Sequence, residues 1–560
     1  MNSGFSVCLV YPNRREVAES NLGFQKIFGE LAKIPGTVCD RAYLPSAGDD
    51  PGGGITSLLF SKPLKEFDLI AFSVTFEMDS LNILKILDTS GIPLRSDERG
   101  DAIPVICAGG VAVTLNPEPL SDFFDFFVIG EGEAESGNSG ESAVMRIVSS
   151  LSSSRGGDRR ERLSILSEID GIYVPSLYSV EYDDNGRITS RKALSGAPET
   201  IVRLINLDYS KSGMAQLDGF TSSIFGGSFL VETGKGCSQG CRFCAAGFIY
   251  RPVRHVSLEA LLEKAGEGIR GESRIGLIGS AICEHPDIDK VYDRILSEGG
   301  KITVSSLRIG LAGRGTFERL KKGGAKSVTM APETGSESLR RRINKPVTDK
   351  EIIDAVGMAA EAGILNVKLY FLFGLPGETE EDVAAIASLA RRVRDRFVEM
   401  SKPHGRAGKI SISVNPFVPK PFTPFQWEPF FDASALKKRS KLIRSEFGRE
   451  SNIDISVEST RTAAAQAFLS LGDRLTGRLL MEIYGGKSWS EILKMKEAKN
   501  IYARRKDIGE ILPWDFIDSG VERDYLVKEY RKSEKGETTS PCLPALSGCV
   551  RCGEFKGVCS

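Results

Sequence analysis

Strand-like and helix-like segments alternate six times in the middle of this chain, and no other feature restricts the fold as much. Helical patterns rich in Ala, Leu, Glu and Arg, such as 257–269 and 380–400, separate most of the strand-like runs. Such alternation is typical of parallel strands covered by helices. We therefore predict an α/β fold with a (β/α)6 partial barrel, whose ligands lie at the carboxyl ends of the strands. The six predicted strands are 228–233, 274–279, 301–306, 326–331, 365–373 and 409–415.

The first predicted barrel strand leads into a loop with three cysteines, Cys237, Cys241 and Cys244, in the spacing CxxxCxxC. Three thiolates on one short loop can hold three irons of a 4Fe–4S cluster and leave the fourth iron open for chemistry. A structural zinc site would normally need a fourth Cys or His nearby, and the nearest histidine, His255, follows eleven residues later. The iron–sulfur cluster is the favoured interpretation.

This spacing, with Phe243 before the last cysteine, resembles the signature of the radical S-adenosylmethionine (radical SAM) enzymes. The resemblance implies that the open iron binds SAM, and that an electron from the cluster splits SAM into methionine and a 5′-deoxyadenosyl radical. Small residues after the second strand would let this ligand approach the backbone, and a carboxylate and a guanidinium after the fourth could bind its polar groups. The predicted SAM contacts are Gly279, Ser280, Ser306, Arg308, Glu333, Arg340, Gly374 and Pro376.

The N-terminal part of the chain predicts a separate domain. Its apolar runs end in turns or glycine pairs, and segments such as 20–33 and 79–89 between them have helical spacing. This pattern predicts a doubly wound, Rossmann-like sheet. A dinucleotide site is poorly supported, because no GxGxxG motif follows the first strand. The predicted parallel strands lie within 5–13, 67–74, 102–110 and 122–133.

Four strings, SNLGFQ (20–25), AGG (108–110), LNPEPL (115–120) and IGEGE (129–133), resemble the cobalamin-binding domain that precedes the barrel in one class of radical SAM methylases. The alternative is that the glycine pairs only close turns in a domain that binds nothing. The domain contains no histidine, so the resemblance implies a cobalt without a histidine ligand from this domain. The predicted cobalamin contacts are Ser73, Gly109, Gly110, Asn116, Glu131 and Gly132.

Composition and turn signals predict how the domains are joined. Residues 134–162 are rich in Ser, Gly and charge, and the alternating run after them predicts a hairpin that turns at Asp184, Asn185 and Gly186. We expect residues 431–534 to form amphipathic helices that close the active site. The predicted segments are a cobalamin domain (1–165), a linker with the hairpin (166–222), the radical SAM barrel (223–430) and a helical region with a cysteine-rich tail (431–560).

Two strings after the barrel recur in the cobalamin-binding radical SAM class that the chain resembles. NPFVPKPFTPFQW (415–427) is rich in proline and aromatic residues, which predicts a stiff apolar segment that lines a cavity mouth or covers the open side of the barrel. The second string is QAFLSLGDR (466–474). Both strings favour the cobalamin-dependent class.

A second cysteine group ends the chain. Cys542, Cys549, Cys552 and Cys559 lie among Gly and Pro residues, which is unusual for a core and typical of a metal site. An auxiliary iron–sulfur cluster and a zinc site both stay open, and the cluster is favoured. The other four cysteines, mostly on or beside apolar strands, are interpreted as small core residues. They are Cys8, Cys39, Cys107 and Cys283.

Composition limits the remaining classes. With 560 residues, 41% hydrophobic and 26% charged, the chain can bury at least two cores. The net charge of −1 argues against a dominant nucleic-acid surface. No secretory signal or bilayer-spanning apolar run is evident. We expect a cytoplasmic protein in a cell that lives largely without oxygen.

The resemblance implies a cobalamin-dependent radical SAM C-methyltransferase that acts on an unactivated carbon of a protein, a peptide or a small molecule. It also implies a low-potential electron donor as a partner. The overall layout resembles the enzymes that methylate a glutamine of methyl-coenzyme M reductase. The alternatives are a methylthiotransferase with a second cluster on Cys8, Cys39 and Cys107, a ring-forming radical SAM enzyme and a non-enzymatic iron–sulfur protein.

Overall fold

The computed structural model of the protein groups its residues into two compact units. We call one the N-terminal unit (Met1–Asn206, Leu217–Ile224 and Ala465–Gly520) and the other the barrel unit (Leu207–Gln216, Phe225–Ala464 and Val521–Ser560). The structure describes residues 4–45, 54–137, 140–210, 216–217, 220, 224–271, 274–405, 407–448, 450–542, 549–550 and 552–553.

A six-stranded sheet in the order β2-β1-β3-β4-β5-β6 forms the centre of the N-terminal unit. The first five strands pair in parallel and β6 is antiparallel to β5. The strands of this region are β1 (Phe5–Tyr11), β2 (Thr37–Tyr43), β3 (Leu69–Ser73), β4 (Val105–Gly109), β5 (Phe126–Val128), β6 (Ile172–Tyr173), β7 (Tyr178–Tyr182), β8 (Ile188–Ala193) and β9 (Ile201–Val202). Its helices are α1 (Arg15–Ala18), α2 (Leu22–Ala32), α3 (Ser80–Thr89), α4 (Val111–Leu115), α5 (Ala143–Ser153) and α6 (Arg159–Leu166).

The predicted doubly wound sheet is confirmed, and its strand order adds a functional detail. An order of 2-1-3-4-5 is that of the flavodoxin-like sheets, which bind ligands at the carboxyl ends of the strands where the order reverses, between β1 and β3. One face of the sheet packs against α2 and α5 through residues such as Leu9, Val105, Phe24 and Ile147. β2 was not predicted, because the polar residues in TVCDRAY hide its strand pattern.

The predicted hairpin is confirmed as β7 and β8, which pair antiparallel. Asp183 accepts hydrogen bonds from the backbone N–H groups of Asn185 and Arg187, both at 2.8 Å. Gly186 has a φ of +75°, a conformation that glycine adopts without steric cost. The turn therefore follows from the Asp-Asp-Asn-Gly sequence.

The barrel unit contains all six predicted barrel strands. β10, β13 and β14 form one parallel group, β15 to β18 form another, and Leu307 and Met330 form a parallel bridge that links the end of the first group to the second. The strands are β10 (Phe229–Glu232), β11 (Gly234–Lys235), β12 (Arg254–His255), β13 (Arg274–Ile278), β14 (Lys301–Val304), β15 (Ser327–Glu333), β16 (Asn366–Phe373), β17 (Lys409–Pro416) and β18 (Ile453–Val457).

Helices alternate with these strands as predicted, and two of them begin with capping boxes. Thr348 and Glu351 cap one helix and Thr379 and Asp382 cap the other, so each side chain bonds the other's backbone N–H. The helices are α7 (Ala246–Ile249), α8 (Leu258–Arg270), α9 (Ile288–Ser297), α10 (Arg314–Lys322), α11 (Glu337–Arg342), α12 (Asp349–Glu361), α13 (Glu380–Ser401) and α14 (Ala433–Phe447).

The region after the barrel is mainly helical, as expected, with two strands. β18 extends the second parallel group beyond β17, and β19 pairs with β9. The helices α16 to α18 belong to the N-terminal unit and α19 belongs to the barrel unit. No helix among the described residues is both long enough and apolar enough to cross a membrane. The remaining elements are α15 (Thr460–Ser470), α16 (Arg474–Tyr484), α17 (Trp489–Ile492), α18 (Lys496–Tyr502), β19 (Ile517–Asp518) and α19 (Arg523–Glu534).

The proline-rich and aromatic string after β17 is buried in the barrel unit. The rings of Phe417 and Phe425 meet edge to face at 5.8 Å, and the Trp427 ring lies 5.8 Å from the Tyr530 ring of α19. Tyr530 also donates a hydrogen bond to Glu428 at 2.7 Å. The string therefore fixes α19 within the barrel unit.

Candidate functional site

The three-cysteine loop lies between two short strands that pair with each other. β11 and β12 pair antiparallel on either side of residues 236–253. Within the loop, the Cys244 N–H donates to the Cys241 carbonyl at 3.0 Å. Gly236 has a φ of +88°, and a Cβ there would lie 2.7 Å from the Tyr250 carbonyl oxygen. Only glycine fits this position, so the sequence Gly-Cys sets the start of the loop.

The thiols of this loop share one electrostatic environment. Burial raises the pKa of Cys237, Cys241 and Cys244, and the charge of Lys345 opposes that rise at each of them. Binding to iron deprotonates a cysteine thiol, so a cluster would bring three negative charges into this buried place. The Lys345 ammonium is a counter-charge for them. The donor set therefore fits an iron–sulfur cluster.

Among the residues that the structure describes, no three His, Cys, Asp or Glu side chains form a ligand group for one ion. A 4Fe–4S cluster takes each thiolate at a different iron.

Polar side chains from later strand ends hold the loop. The N–H and hydroxyl of Ser238 donate to Glu284 at 3.0 and 2.9 Å, and Arg308 contacts both Glu284 and Gln239. The Asn344 amide donates to the carbonyls of Gln239 and Gly240, at 3.1 and 3.2 Å. Arg308, a predicted SAM contact, is thus brought to the cysteine loop.

Glu333, another predicted SAM contact, also lies beside the thiols. It forms an ion pair with Lys345 at 2.7 Å, and its charge raises the pKa of Cys241 and Cys244. Its φ of +71° is rare for a residue with a side chain, and it follows a register shift between β15 and β16. Strained backbone of this kind concentrates at functional sites.

Lys345 was missed by the sequence analysis. Its side chain is only 15% exposed. Although burial lowers it, the Glu333 carboxylate raises the pKa of Lys345, so the amine is charged at neutral pH. A lysine just after the helix-like run SESLRRR is usually a surface residue, and the sequence offers no signal that this one is buried.

The remaining predicted SAM residues have different surroundings. Ser280 and Ser306 are exposed. A Cβ at Gly279 would lie 2.6 Å from the Thr233 hydroxyl oxygen, so this glycine is needed for the approach of β10 and β13. Gly374 has a φ of +79° and donates its N–H to Glu378 at 2.7 Å in the turn that contains Pro376.

Arg340 has protein partners for its guanidinium. The side chain is fully buried, donates to the carbonyls of Thr334 and Val347 at 2.9 and 2.5 Å, and pairs with Asp349. These contacts join α11 to the start of α12. The predicted contact of Arg340 with SAM stays a prediction.

Three predicted cobalamin contacts are neighbours at the carboxyl edge of the N-terminal sheet. Ser73 on β3 pairs with Gly109 on β4, and Gly110 follows. Gly110 has a φ of +106°, and a Cβ there would lie 2.6 Å from the Val74 carbonyl oxygen. Next to them, the hydroxyl groups of Tyr11 and Thr75 are hydrogen-bonded at 2.6 Å, at the ends of the two strands where the order reverses.

The other three predicted cobalamin contacts take part in packing. The Asn116 amide donates to the carbonyls of Ser470 and Gly472 at 3.1 and 2.7 Å. Glu131 accepts the Asn206 N–H at 2.9 Å. A Cβ at Gly132 would lie 3.1 Å from the Val144 side chain. Their contact with cobalamin stays a prediction.

The strings LNPEPL and QAFLSLGDR are joined by a buried ion pair between Glu118 of the first and Arg474 of the second. Glu118, which is fully buried, pairs with Arg474 at 3.0 Å and with Arg191 at 3.2 Å, and accepts the Tyr173 hydroxyl. Although burial raises it, the two guanidinium groups hold the pKa of Glu118 below its usual value. The strings contact each other inside the N-terminal unit, which the sequence analysis did not foresee.

Comparisons with known families agree with this geometry. The family model described as Radical SAM superfamily matches residues 231–390, and the model described as Radical SAM proteins, N-terminal, matches residues 23–175. Together they cover more than half of the chain. The chain belongs to the radical SAM superfamily. This family binds SAM at a 4Fe–4S cluster, and Cys237, Cys241 and Cys244 lie within the matched residues. Their role as ligands of the cluster stays a prediction.

Two relatives and one solved structure resemble this chain to different extents. The uncharacterized protein MJ0966 of Methanocaldococcus jannaschii is 29% identical over 85% of this chain and 90% of its own length. A tRNA-2-methylthio-N(6)-dimethylallyladenosine synthase of Wolbachia sp. subsp. Brugia malayi is 25% identical over 37% of this chain and 52% of its own length. The solved structure of the radical SAM methyltransferase TsrM from Kitasatospora setae, with cobalamin and a 4Fe–4S cluster bound, has a TM-score of 0.45 and 16% identity, and covers 73% of this chain and 75% of TsrM.

The C-terminal cysteines of this radical SAM chain lie in the barrel unit. The thiols of Cys542 and Cys552 are buried and hydrogen-bond each other. The hydrogen bond from Cys542, together with the nearby Arg251 guanidinium, lowers the pKa of Cys552 to about 6. Cys549 is exposed, and Cys559 lies outside the described residues. Cys8 and Cys107 are buried in their strands as expected, and Cys39 and Cys283 are half-buried.

Proposed function

We propose that this radical SAM protein is a cobalamin-dependent C-methyltransferase that transfers a methyl group to an unactivated carbon. One observation carries the proposal. The chain joins the cysteine loop to a flavodoxin-like sheet whose strand order reverses between β1 and β3, and sheets of this order bind flat cofactors at that edge. Small or hydroxyl-bearing residues end or follow the neighbouring strands β3 and β4 at this edge, namely Ser73, Thr75, Gly109 and Gly110.

The residues of the cysteine loop would hold the cluster and SAM. The cluster, when bound, supplies one electron for the reductive cleavage of SAM. Glu333 and Lys345 place one negative and one positive charge beside the thiols, as the amino and carboxylate groups of an amino acid require. Arg308 and Glu284 keep Ser238 and Gln239 in place, so the position of Cys237 is fixed.

The N-terminal unit would hold cobalamin without a histidine. Cobalamin, when bound, supplies the methyl group. The three histidines of the chain, His255, His285 and His404, all belong to the barrel unit. The residues of the N-terminal unit would therefore bind the corrin ring through the sheet edge and would leave the cobalt without a histidine ligand of their own.

The methylthiotransferase alternative needs a second cluster on Cys8, Cys39 and Cys107. In the sheet register, Cys39 pairs with Val7, and Cys107 pairs with Ala71 and packs in the same core as Val7. Cys8 neighbours Val7 along β1, so its side chain points to the opposite face of the sheet. The three thiols are therefore separated by the sheet, which disfavours a shared cluster.

The substrate class is a separate part of the proposal and rests on the resemblance in overall layout. We propose a protein residue or a peptide, with a glutamine side chain of the methyl-coenzyme M reductase type as the first to test, in an oxygen-poor cytoplasm with a low-potential electron donor. Anaerobic incubation with the peptide, hydroxocobalamin, a strong reductant and SAM with a deuterated methyl group should add one deuterated methyl group to a carbon. Abundant 5′-deoxyadenosine beside an unmodified peptide would exclude that peptide, and labelled methylthio groups would exclude C-methylation.

A further inference from the structure

The inner wall of the barrel is mainly polar along strands β15, β16 and β17. One face of these strands is buried through residues such as Val328, Leu369 and Ile412, and the alternate residues form a face that is half-buried or exposed. Helices cover the outer face of such a barrel, so the second face lines the interior. A packed barrel interior consists mainly of Val, Ile and Leu. This wall instead carries Thr329, Lys368, Tyr370, Ser411, Ser413 and Asn415.

The register of the sheet joins these side chains into one surface. Lys368 of β16 pairs with Thr329 of β15 and with Ser411 of β17, and neighbouring strands lie about 4.8 Å apart. In the next row, Tyr370 pairs with Ser413. The Lys368 ammonium lies 4.7 Å from the centre of the Tyr370 ring and so leans toward the carboxyl ends of the strands. Within the described part of the chain, neither this amine nor the Tyr370 hydroxyl forms a hydrogen bond.

The charge of Lys368 is not neutralised by the carboxylates on the same face of the sheet. Glu333 of β15 pairs with Lys345 at 2.7 Å. Asp454 of β18 pairs with Lys409 at 2.6 Å. Both carboxylates therefore have a cation of their own, and the wall keeps one positive charge among hydroxyl and amide groups. Such a wall fits a polar ligand with a negative charge.

The wall extends beyond the predicted SAM residues. Glu333 and Gly374 mark the carboxyl ends of β15 and β16, where the ligands of such a barrel lie. Tyr370 and Lys368 precede Gly374 by four and six residues, which places them about 13 and 20 Å from it along the strand. A ligand that reaches from the carboxyl ends to Lys368 is therefore elongated. About four to six residues of extended peptide span this distance.

We propose that the inner wall of the barrel binds an acidic peptide, with a carboxylate of the peptide paired to Lys368 and its backbone groups hydrogen-bonded to Tyr370 and Ser413. This inference rests on the proposed methyl transfer and names the class of its substrate. A partly exposed ion pair of this kind strengthens binding about fivefold. Lys368 is thus a specificity residue that takes no part in the chemistry.

The test measures which peptides the chain retains. The full chain, reconstituted with iron and sulfide without oxygen, is mixed with SAM and a synthetic library of decapeptides in which Glu, Gln and Lys occur equally often. Retained peptides are separated by ultrafiltration and quantified by mass spectrometry. We expect the wild type to retain peptides with Glu about fivefold more than peptides with Gln. Lys368→Gln should lose this preference and Lys368→Arg should keep it. Lys322→Gln, at an exposed lysine of α10, is the matched control and should keep it as well.

Equal retention of Glu and Gln peptides by the wild type would overturn the proposal, whatever the variants do. A preference that persists in Lys368→Gln, folded by circular dichroism, would overturn it as well. The binding measurement needs neither cobalamin nor methyl transfer. A chain that retains acidic peptides but binds no cobalt would contradict the proposed function alone, and a chain that methylates a peptide without this preference would contradict this inference alone.

Discussion

At the scale of single residues, the site depends on buried charges placed beside the thiols. Lys345 and Glu333 pair at 2.7 Å with side chains that are 15% and 12% exposed. Removal of one partner from such a pair leaves the other buried and uncompensated, which is costly. The pair also borders Cys241 and Cys244. Its loss should therefore affect both the stability of the barrel unit and its hold on the cluster.

Lys345→Met should destabilise the protein by about 3 kcal/mol, because it leaves the Glu333 carboxylate unpaired. It should also lower the iron retained after reconstitution, since the thiolates lose their counter-charge. Chemical denaturation and iron analysis measure the two effects. Adding Glu333→Gln should restore most of the stability. Lys350→Met, at an exposed lysine on α12, is the matched control and should change neither quantity.

Asp79→Asn should stabilise the N-terminal unit at neutral pH and not in acid. Burial raises the pKa of Asp79 from 3.8 to about 6, so the folded state binds the proton more tightly than the unfolded state. The cost of the buried charge is absent below about pH 3.8, grows as the pH rises and is complete above about pH 6. After allowance for solvent screening, the gain above pH 6 should be about 1–2 kcal/mol.

Denaturation of wild type and Asp79→Asn across this pH range measures that gain. The hydrogen bond from Asn13 to the Asp79 oxygen, at 2.7 Å, can persist in the variant. Asp184→Asn, in the exposed hairpin turn, should show no pH-dependent difference. A gain for Asp79→Asn that is equal at pH 4 and pH 7 would mean that the buried charge is not its cause.

The site residues that the sequence predicts are those whose roles depend on local spacing. Cys237, Cys241 and Cys244 are predicted as cluster ligands because their separation along the chain is itself the ligand pattern. Lys345 and Arg251 were missed because their contacts are with segments that lie far away in the sequence, Glu333 for the lysine and Tyr525 and Cys552 for the arginine. A cation is typical of a surface, and only the tertiary structure shows that these two face thiols.

At the scale of secondary-structure elements, α19 is attached to the cysteine loop by one buried ion pair. Arg242, within the loop, donates to Glu529 at 2.9 and 3.2 Å, and the two side chains are 0% and 2% exposed. Arg242 also donates to the Arg342 carbonyl at 2.8 Å. The helix therefore supports the loop on which the predicted cluster cysteines lie.

Glu529→Gln should lower the stability of the barrel unit by about 3 kcal/mol, because the Arg242 guanidinium stays buried without a countercharge. The loop should then hold its cluster less tightly. Thermal unfolding and the rate of iron loss to a chelator measure both effects. Glu534→Gln on the same helix removes an exposed charge and serves as the control. Equal rates of iron loss in the two variants would contradict the role of the ion pair.

Sequence patterns located the elements with strong periodicity. All six barrel strands, the hairpin and the helices near 257–269 and 380–400 form where they were predicted. β2 and β18 were missed because each is a short run with polar residues, and pairing with a neighbouring strand decides its conformation. The helices α16 to α18 belong to the N-terminal unit because of contacts such as that of Arg474 with Glu118, and no local sequence pattern predicts such contacts.

At the scale of the whole molecule, each compact unit draws on distant parts of the chain. The N-terminal unit includes residues 465–520, held by Asn116 and by the Glu118 and Arg474 pair. The barrel unit includes α19 and the C-terminal cysteines. Because the chain passes between the units more than once, a cut near residue 206 would not separate two complete domains.

Arg474→Met in the full chain should weaken the N-terminal unit selectively. It leaves Glu118, fully buried, with one of its two arginine partners, and we expect a loss of about 3 kcal/mol. Hydrogen exchange should show faster exchange in β1 to β5 and little change in the barrel strands. Arg478→Met, at an exposed arginine of the same helix, is the control. Faster exchange that is spread equally over both units would contradict the division.

The central claim is that the N-terminal unit of this radical SAM protein holds cobalamin. Its most direct test is the cobalt and iron content, with the visible spectrum, after reconstitution without oxygen in the presence of hydroxocobalamin. The account predicts about one cobalt per chain, a corrin absorption band and at least four irons. Iron without cobalt would contradict the cobalamin assignment, and the proposed source of the methyl group with it, while the radical SAM site would remain.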